Sequence, residues 1–123
     1  MEEWQIDAER AFTGEQDHQI EMVGVSAMYI GTEKEPINIV SRKGTYYIDE
    51  RHLVLTDHAV ISKPAQEQQL VSDRLDYFDA TKMVISPGKV DLRAPGLKLT
   101  AGRMDYDLST SGYEFSKRVK VKL

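Results

Sequence analysis

The side chains of this chain that could bind a metal ion or act as acid and base are few and scattered. His18, His52 and His58 stand far apart, and although Asp57 directly precedes His58, no second histidine lies at the spacing of a metal-ligand pair. A histidine without such a partner is typical of a structural or solvent-exposed position. We therefore expect no metal site and no cofactor.

Two aspartate pairs could supply the two carboxylates of a glycosidase. Asp76 and Asp79 frame the segment "DYFD", and Asp105 and Asp107 frame "DYD". A catalytic pair would be unique and would face a cleft, whereas these pairs recur at equivalent positions, which indicates turn and strand-end residues. The sequence also has no nucleophile elbow, phosphate-binding loop or dinucleotide fingerprint. It indicates a protein that is not an enzyme.

The length and composition indicate a single globular domain that covers residues 1–123. Of these residues, 41% are apolar and 29% are charged, which suffices for one modest core. The formal net charge of -4 provides no basic surface for nucleic acid. The chain contains no cysteine, which excludes disulfides and thiolate metal ligands, and no segment approaches the roughly 20 apolar residues of a spanning helix.

A pattern of small and apolar residues occurs four times along the chain. Each unit has a small anchor residue, and the anchors stand about thirty residues apart: Ala8, Ser41, Ser72 and Ala101. The residue two positions before each anchor is aliphatic, namely Ile6, Ile39, Leu70 and Leu99. Apolar pairs spaced by one residue follow, first Ile20 and Met22, Leu53 and Leu55, Met83 and Ile85, Tyr113 and Phe115, then Val25 and Ala27, Val60 and Ser62, Val90 and Leu92, Val119 and Val121. Four units that agree in this detail predict a repeated structural element.

The period of two within each run predicts β-strands with one buried face, and no helix. A step of three after each anchor predicts a bulge or bend. Turn residues separate the runs at 13–17, 49–51, 79–81 and 109–112, and Pro-Gly pairs occur within 86–88 and 94–96. The prediction is therefore an all-β fold, an elongated twisted β-jellyroll of two antiparallel sheets built from about four stacked bent hairpins. Five valines fall on the outward face: Val23, Val40, Val54, Val71 and Val84.

The small anchors leave two interpretations of the interior open. Close-packed sheets need volume at inward positions, so small residues recurring at one level indicate either a narrow core or a groove for an elongated apolar ligand.

The motifs "W-x-I-x-A-x-x-A" from Trp4, "I-x-S-x-x-G-x-Y" from Ile39, "L-x-S-x-x-L-x-Y" from Leu70 and "L-x-A-x-x-M-x-Y" from Leu99 resemble the LptC family. The resemblance runs from Trp4 to Leu123 and implies the OstA-like β-jellyroll that this family shares with LptA. It implies a lipopolysaccharide-binding transport protein that receives lipopolysaccharide from an inner-membrane ABC transporter (LptB, LptF and LptG) and passes it to LptA, with acyl chains shielded between the sheets. On this basis we expect a lipid-binding groove lined by Ile6, Ala8, Ile39, Ser41, Leu70, Ser72, Tyr77, Leu99, Ala101 and Tyr106.

The last strand, "SKRVKVKL", alternates inward Val119, Val121 and Leu123 with outward Arg118, Lys120 and Lys122. Charged edge strands commonly block unwanted pairing, and this interpretation stays open. The resemblance implies instead that the C-terminal edge docks an LptA-like protein and that the N-terminal edge faces the transporter. A homodimer is a further possibility for such edges.

The resemblance also implies a periplasmic location and an inner-membrane tether, an N-terminal helix that family members carry and that these residues lack. Two alternatives remain open at this point. One is an LptA-type soluble bridge component. The other is a non-lipid β-scaffold or carbohydrate-binding module with a packed interior.

Overall fold

The computed structural model describes residues 3–14, 18–30 and 36–123, and these residues are almost entirely β-strand. The eleven strands that they form are β1 (Glu3–Thr13), β2 (Gln19–Ile30), β3 (Pro36–Tyr47), β4 (His52–Lys63), β5 (Gln68–Phe78), β6 (Met83–Ser86), β7 (Val90–Ala94), β8 (Leu97–Ala101), β9 (Arg103–Asp107), β10 (Gly112–Ser116) and β11 (Lys120–Lys122). A 3-10 turn, Pro64–Gln66, joins β4 to β5, and the described ranges contain no α-helix. The described residues thus include no helix that is long and apolar enough to cross a membrane.

The strands form the four antiparallel hairpins that the sequence predicts. The first two hairpins pair β1 with β2 and β3 with β4. In the third, β5 is continuous but its partner is divided into β6 and β7. In the fourth, both strands are divided, so that β9 pairs with β10 and β8 pairs with β11. The all-β class and the hairpin repeat are confirmed, although the turn predicted at 13–17 lies partly outside the described residues.

Bends interrupt the strands close to three of the four anchors. The β3–β4 ladder shifts register between Val40 and Lys43, and the β4–β5 ladder shifts opposite Ser72. A bend at Gly102 separates β8 from β9 directly after Ala101. The β1–β2 ladder keeps one register past Ala8, so no bulge lies there, and β1 changes layer opposite Gly24, which has a φ of 65°.

The bends fold one hydrogen-bonded sheet into two layers. The sequence predicts two sheets, and the structure joins them because the long strands β1 to β5 continue through the bends from one layer into the other. The first layer contains residues 4–8 of β1 and ends in β7, β8 and β11, whereas the second ends in β6, β9 and β10. The hairpin turns lie on the side away from the bends, which we call the turn side.

One row of inward residues crosses each layer, because opposite residues of an antiparallel ladder share a face. The first-layer row is Ile6, Ala27, Ile39, Ile61, Leu70, Leu92, Leu99 and Val121. The second-layer row is Ile20, Tyr46, Leu53, Tyr77, Val84, Tyr106 and Tyr113. The central members of both rows are buried and form one continuous hydrophobic core.

Two inward assignments made from the sequence are wrong by one residue. In β4, Ala59 and Ile61 are buried instead of Val60 and Ser62, because Asp57 and His58 adopt left-handed backbone angles that insert a bulge. In β6, Val84 is 1% exposed and faces inward, whereas Met83 and Ile85 do not. Val84 lies opposite the inward Tyr77, and the intervening turn sets that register. Val54 is also buried, although it lies between the inward Leu53 and Leu55.

Candidate functional site

The serine anchors lie at the bends, where their side chains bond to the backbone. The buried Ser41 hydroxyl donates a hydrogen bond to the Lys43 carbonyl oxygen at 3.0 Å. The Ser72 hydroxyl donates in the same way to the Arg74 carbonyl oxygen at 2.9 Å. Each bond satisfies a carbonyl group at a point where the ladder is interrupted. The two serine anchors therefore have a local structural role at the bends.

The ten predicted groove residues all lie on inward positions of the ladders, but their exposure differs along the molecule. Seven are buried in the core, namely Ile39, Ser41, Leu70, Ser72, Tyr77, Ala101 and Tyr106. Leu99 is half-buried, and Ile6 and Ala8 are exposed. The interior is thus filled by the protein's own side chains in its centre. Its apolar surface is accessible at the ends, where Ile6 is 40% exposed and Val121, at the other end of the same row, is 52% exposed.

A pocket opens between the layers at the N-terminal end. It has a volume of about 220 Å³, and its lining consists of Trp4, Ile6, Tyr46, Leu53, Tyr77 and Asp79. The Trp4 ring packs against Tyr29 on its own layer and Tyr77 on the other, with centroids 4.9 and 5.0 Å away. The pocket is below the size typical of drug-like ligands, so it suits one segment of a hydrocarbon chain.

The rim of this pocket is polar. The Tyr77 hydroxyl and the Lys82 ammonium each donate to Asp79 Oδ1 at 2.9 Å. These bonds hold the pKa of Asp79 below its usual value, while burial raises the pKa of Tyr77. The hydroxyl therefore stays protonated and the carboxylate ionised at neutral pH, and the pocket has an apolar floor beside a charged rim.

Aromatic rings line the second layer at the C-terminal end. The rings of Tyr106 and Tyr113 stack with centroids 4.2 Å apart, and Phe115 stacks on Tyr113 at 5.5 Å. From the first layer, Lys63 places its ammonium 4.5 and 4.7 Å from the centroids of Tyr106 and Tyr113. The Tyr113 hydroxyl donates to Gln68 Oε1 at 3.3 Å. These contacts join the two layers on the turn side.

The predicted docking edge lies at this same end of the sheet. Its five residues, Arg118, Val119, Lys120, Val121 and Lys122, are all exposed. The short strand β11 pairs on one side with β8, and Val121 lies opposite Leu99. The path into β11 needs Gly102, whose amide donates to the Lys117 carbonyl oxygen at 2.6 Å. A Cβ atom at Gly102 would lie 3.0 Å from that oxygen, so a larger residue here would require the backbone at Lys117 to move.

The residues considered for catalysis occupy structural positions. Asp76 is 6% exposed and lies on the outer face of β5, where it accepts two bonds of 2.9 Å from Arg74 and one contact of 2.7 Å from His52. Burial alone would raise the pKa of Asp76, but the bonds from Arg74 and His52 hold it below its usual value. Within the described residues, no group of three or more histidine, aspartate or glutamate side chains could hold a metal ion.

Sequence reasoning missed several residues at the two ends. Trp4, Tyr46 and Leu53 line the N-terminal pocket, and their place in the repeat was the signal that could have indicated it. Lys63 gave no such signal, because a lysine that ends a strand and precedes proline is typical of a surface turn. Its inward position follows from the bulge earlier in β4, because the extra residue keeps Lys63 on the same alternating set as Leu53 and Leu55.

Comparison with known proteins agrees with this architecture. The structure is similar to the crystal structure of LptH from Pseudomonas aeruginosa, described as the LptA-homologous periplasmic component of the conserved lipopolysaccharide transport device, with a TM-score of 0.73. The identity is 12%, and the alignment covers 98% of this chain and 94% of LptH, so the likeness concerns the fold. No curated protein sequence matches the chain. The sequence model of the family described as "Lipopolysaccharide-assembly, LptC-related" matches residues 1–123, and the chain therefore belongs to the LptC family.

Proposed function

We propose that this protein carries lipopolysaccharide across the periplasm, receiving it from an inner-membrane ABC transporter and passing it to a homologous LptA-like protein. Acyl chains lie between the two layers during this transfer. Membership of the LptC family supports the class of cargo. The observation that carries the proposal is the first-layer row, which is apolar throughout and exposed at both ends, at Ile6 and at Val121.

The energetics favour an enclosed path. Each CH₂ group transferred from water to an apolar site gains about 0.8 kcal/mol, so an acyl chain of about a dozen carbons gains on the order of 10 kcal/mol. The centre of the row, including Ile39 and Leu70, is filled in the structure. Passage of a chain therefore requires the layers to separate there, while the two ends can accept apolar groups with smaller movements.

The two edge strands of the sheet, β1 and β11, define the direction of the transfer. The N-terminal edge, β1, faces the transporter, and an inner-membrane tether holds the protein there. The C-terminal edge, β11, extends its ladder with a strand of the LptA-like protein. Exposed Val119, Val121 and Leu123 beside it provide apolar contact for that partner.

The test is photo-crosslinking in cells from three positions. A photoreactive residue at Ile6 and one at Val121 are expected to capture lipopolysaccharide, and Val121 also the LptA-like protein. Val40 is the matched control, because it is 52% exposed like Val121 but lies on the outer face. Capture at Val40 equal to that at Val121, or no lipid at either end of the row, would reject the proposal. Deletion of residues 117–123 with unchanged LptA binding would reject the docking edge.

A second candidate function is that of a soluble LptA-type bridge, which the similarity to LptH supports. Such a bridge joins copies of itself or its homologues through both edges. Crosslinks from Ile6 to a second copy of this chain, with none to the transporter, would favour the bridge. A non-lipid scaffold or carbohydrate-binding module would give protein or sugar adducts and no lipid at any inward position.

A further inference from the structure

Lys63 is a charged residue in the interior, on the turn side of the first layer. It ends β4 directly before the turn Pro64–Gln66, yet it is only 9% exposed. Its ammonium lies over the ring faces of Tyr106 and Tyr113 in the second layer. A buried charge is costly unless its surroundings compensate it, and aromatic faces provide part of that compensation.

The same place contains a second connection between the layers, the hydrogen bond from the Tyr113 hydroxyl to Gln68 Oε1. Gln68 begins β5, and Tyr113 is the second residue of β10, so both lie beside hairpin turns. We call Lys63, Gln68, Tyr106 and Tyr113 the clasp. The layers are continuous through the bends, and the clasp joins them on the opposite side.

This geometry determines what an amphiphile between the layers would encounter. Its hydrocarbon chain would lie in the apolar interior, and its polar headgroup would remain at the turn side, where water is accessible. A headgroup at the C-terminal half of that side lies beside the clasp. Burial raises the pKa of Tyr113, so its hydroxyl remains a donor there.

We propose that the clasp recognises a phosphate-bearing headgroup. The Lys63 ammonium moves away from the ring faces of Tyr106 and Tyr113 and binds the phosphate. This inference rests on the proposed function, since it presupposes a hydrocarbon chain between the layers. Because charge-assisted hydrogen bonds are roughly twice as strong as neutral ones, a phosphate is a stronger partner for this ammonium than a neutral headgroup is. A neutral headgroup offers no comparable partner, so it leaves Lys63 on the rings and the layers joined.

The experiment compares two probes with the same twelve-carbon chain, dodecyl phosphate and dodecyl maltoside, titrated calorimetrically into the full chain below their micellar concentrations. The expected result is a preference of about tenfold for the phosphate, against the protein's own net charge of -4. Lys63→Met keeps the length of the side chain and is expected to abolish the preference, while Lys63→Arg retains it. Lys98→Met is the control, because Lys98 is exposed on β8.

The outcomes are distinguishable. Equal affinity of the wild type for both probes, or a preference that survives in Lys63→Met, would overturn the clasp inference alone. Failure of both probes to bind the wild type would overturn the proposed function and this inference with it. Circular dichroism checks each fold, and Lys63→Gln replaces Lys63→Met if the latter does not fold. Tyr113→Phe, which keeps the ring and removes only the hydroxyl donor, is expected to weaken the preference without abolishing it. A complete loss in this variant, with Lys63 in place, would contradict the role given to the Lys63 ammonium.

Discussion

The hydroxyl oxygens of Ser72 and Ser86 lie 2.7 Å apart in the interior of the protein. Ser72 precedes the bend of β5, and Ser86 ends β6. Each hydroxyl also contacts a carbonyl oxygen two residues further along the chain, that of Arg74 or that of Gly88. Because a hydroxyl has one proton to donate, the two serines form a relay in which either can be the donor. The relay fixes β5 to the point where its partner strand is divided.

Removal of one of the two hydroxyl groups should therefore lower the free energy of unfolding by more than half of the loss caused by removing both. Ser72→Ala and Ser86→Ala are each expected to lower the free energy of unfolding by about 1–3 kcal/mol, because each leaves a buried group with fewer partners. The double variant is expected to lose less than the sum of the two. Urea denaturation of the four proteins measures this coupling, and additivity within about 0.5 kcal/mol would contradict the relay.

The ion pair on the outer face predicts a dependence of stability on pH. The pKa of Asp76 is lower in the folded protein than in the unfolded chain, so its stabilisation is complete above the unfolded value of about 4 and is lost as pH falls through the folded value. Asp76→Asn should lower the free energy of unfolding by about 1.5–3 kcal/mol at pH 7. The difference from the wild type should shrink in acid, as denaturation at pH 7 and at pH 2.5 would measure.

A matched control for Asp76 lies two strands away. Asp105 accepts bonds of 2.9 and 3.0 Å from Arg103 in the same arrangement, but it is more exposed, and no histidine of the described residues bonds to it. Asp105→Asn is expected to cost at most about 1 kcal/mol, as exposed ion pairs do. Equal losses in the two variants would show that burial and His52 add nothing.

Gly102 and Gly88 provide a test of the close contact between Gly102 and Lys117, where the chain enters β11. An added Cβ at Gly102 meets the Cβ atom and the carbonyl oxygen of Lys117 at 3.0 Å, whereas nothing lies within 4 Å of one at Gly88. Gly102→Ala is expected to cost about 1–3 kcal/mol and to increase hydrogen exchange in residues 117–122. Gly88→Ala should be neutral or stabilising by up to about 1 kcal/mol. Unchanged exchange in Gly102→Ala would show that the crossing tolerates a side chain.

Burial differs between the centre and the exposed end of the first-layer row, so truncation of a side chain should lower the free energy of unfolding more at the centre than at the end. Leu70→Ala removes a side chain from the filled centre and is expected to cost about 2–5 kcal/mol. Ile6→Ala, at the exposed end, should cost less than about 1.5 kcal/mol, because less apolar surface is lost. Chemical denaturation measures both, and similar losses would mean that the N-terminal end is closed in solution.

The hairpin architecture could be predicted because it depends on local signals. Alternation of period two defines the strands, and Pro95 before Gly96, which has a φ of 71°, gives the turn between β7 and β8. The anchors predicted the bends because small residues recur where the strands change layer. These signals lie within a few residues of the feature that they produce.

The features that escaped prediction depend on register. The left-handed pair Asp57 and His58 adds one residue at the bend of β4, so this strand keeps the same alternating set inward where β3 and β5 change theirs. Neither residue type requires that conformation. Lys63 therefore lies inside, where its ammonium contacts the rings of two distant strands. The inward positions of the central rows could therefore be predicted, whereas Trp4 and Lys63 at the two ends were missed, because layer-to-layer contacts decide which side chains meet there. That these residues bind lipid stays a prediction.

The order of strands from β1 to β10 gives the molecule a defined reach. Eight strands in succession, spaced by about 4.8 Å, extend over about 34 Å, slightly more than the roughly 30 Å hydrocarbon thickness of a bilayer. On the proposed function, one copy carries its cargo over no more than this distance. An aqueous gap several times wider than this would need a row of such domains joined edge to edge, with the number of domains setting the distance crossed.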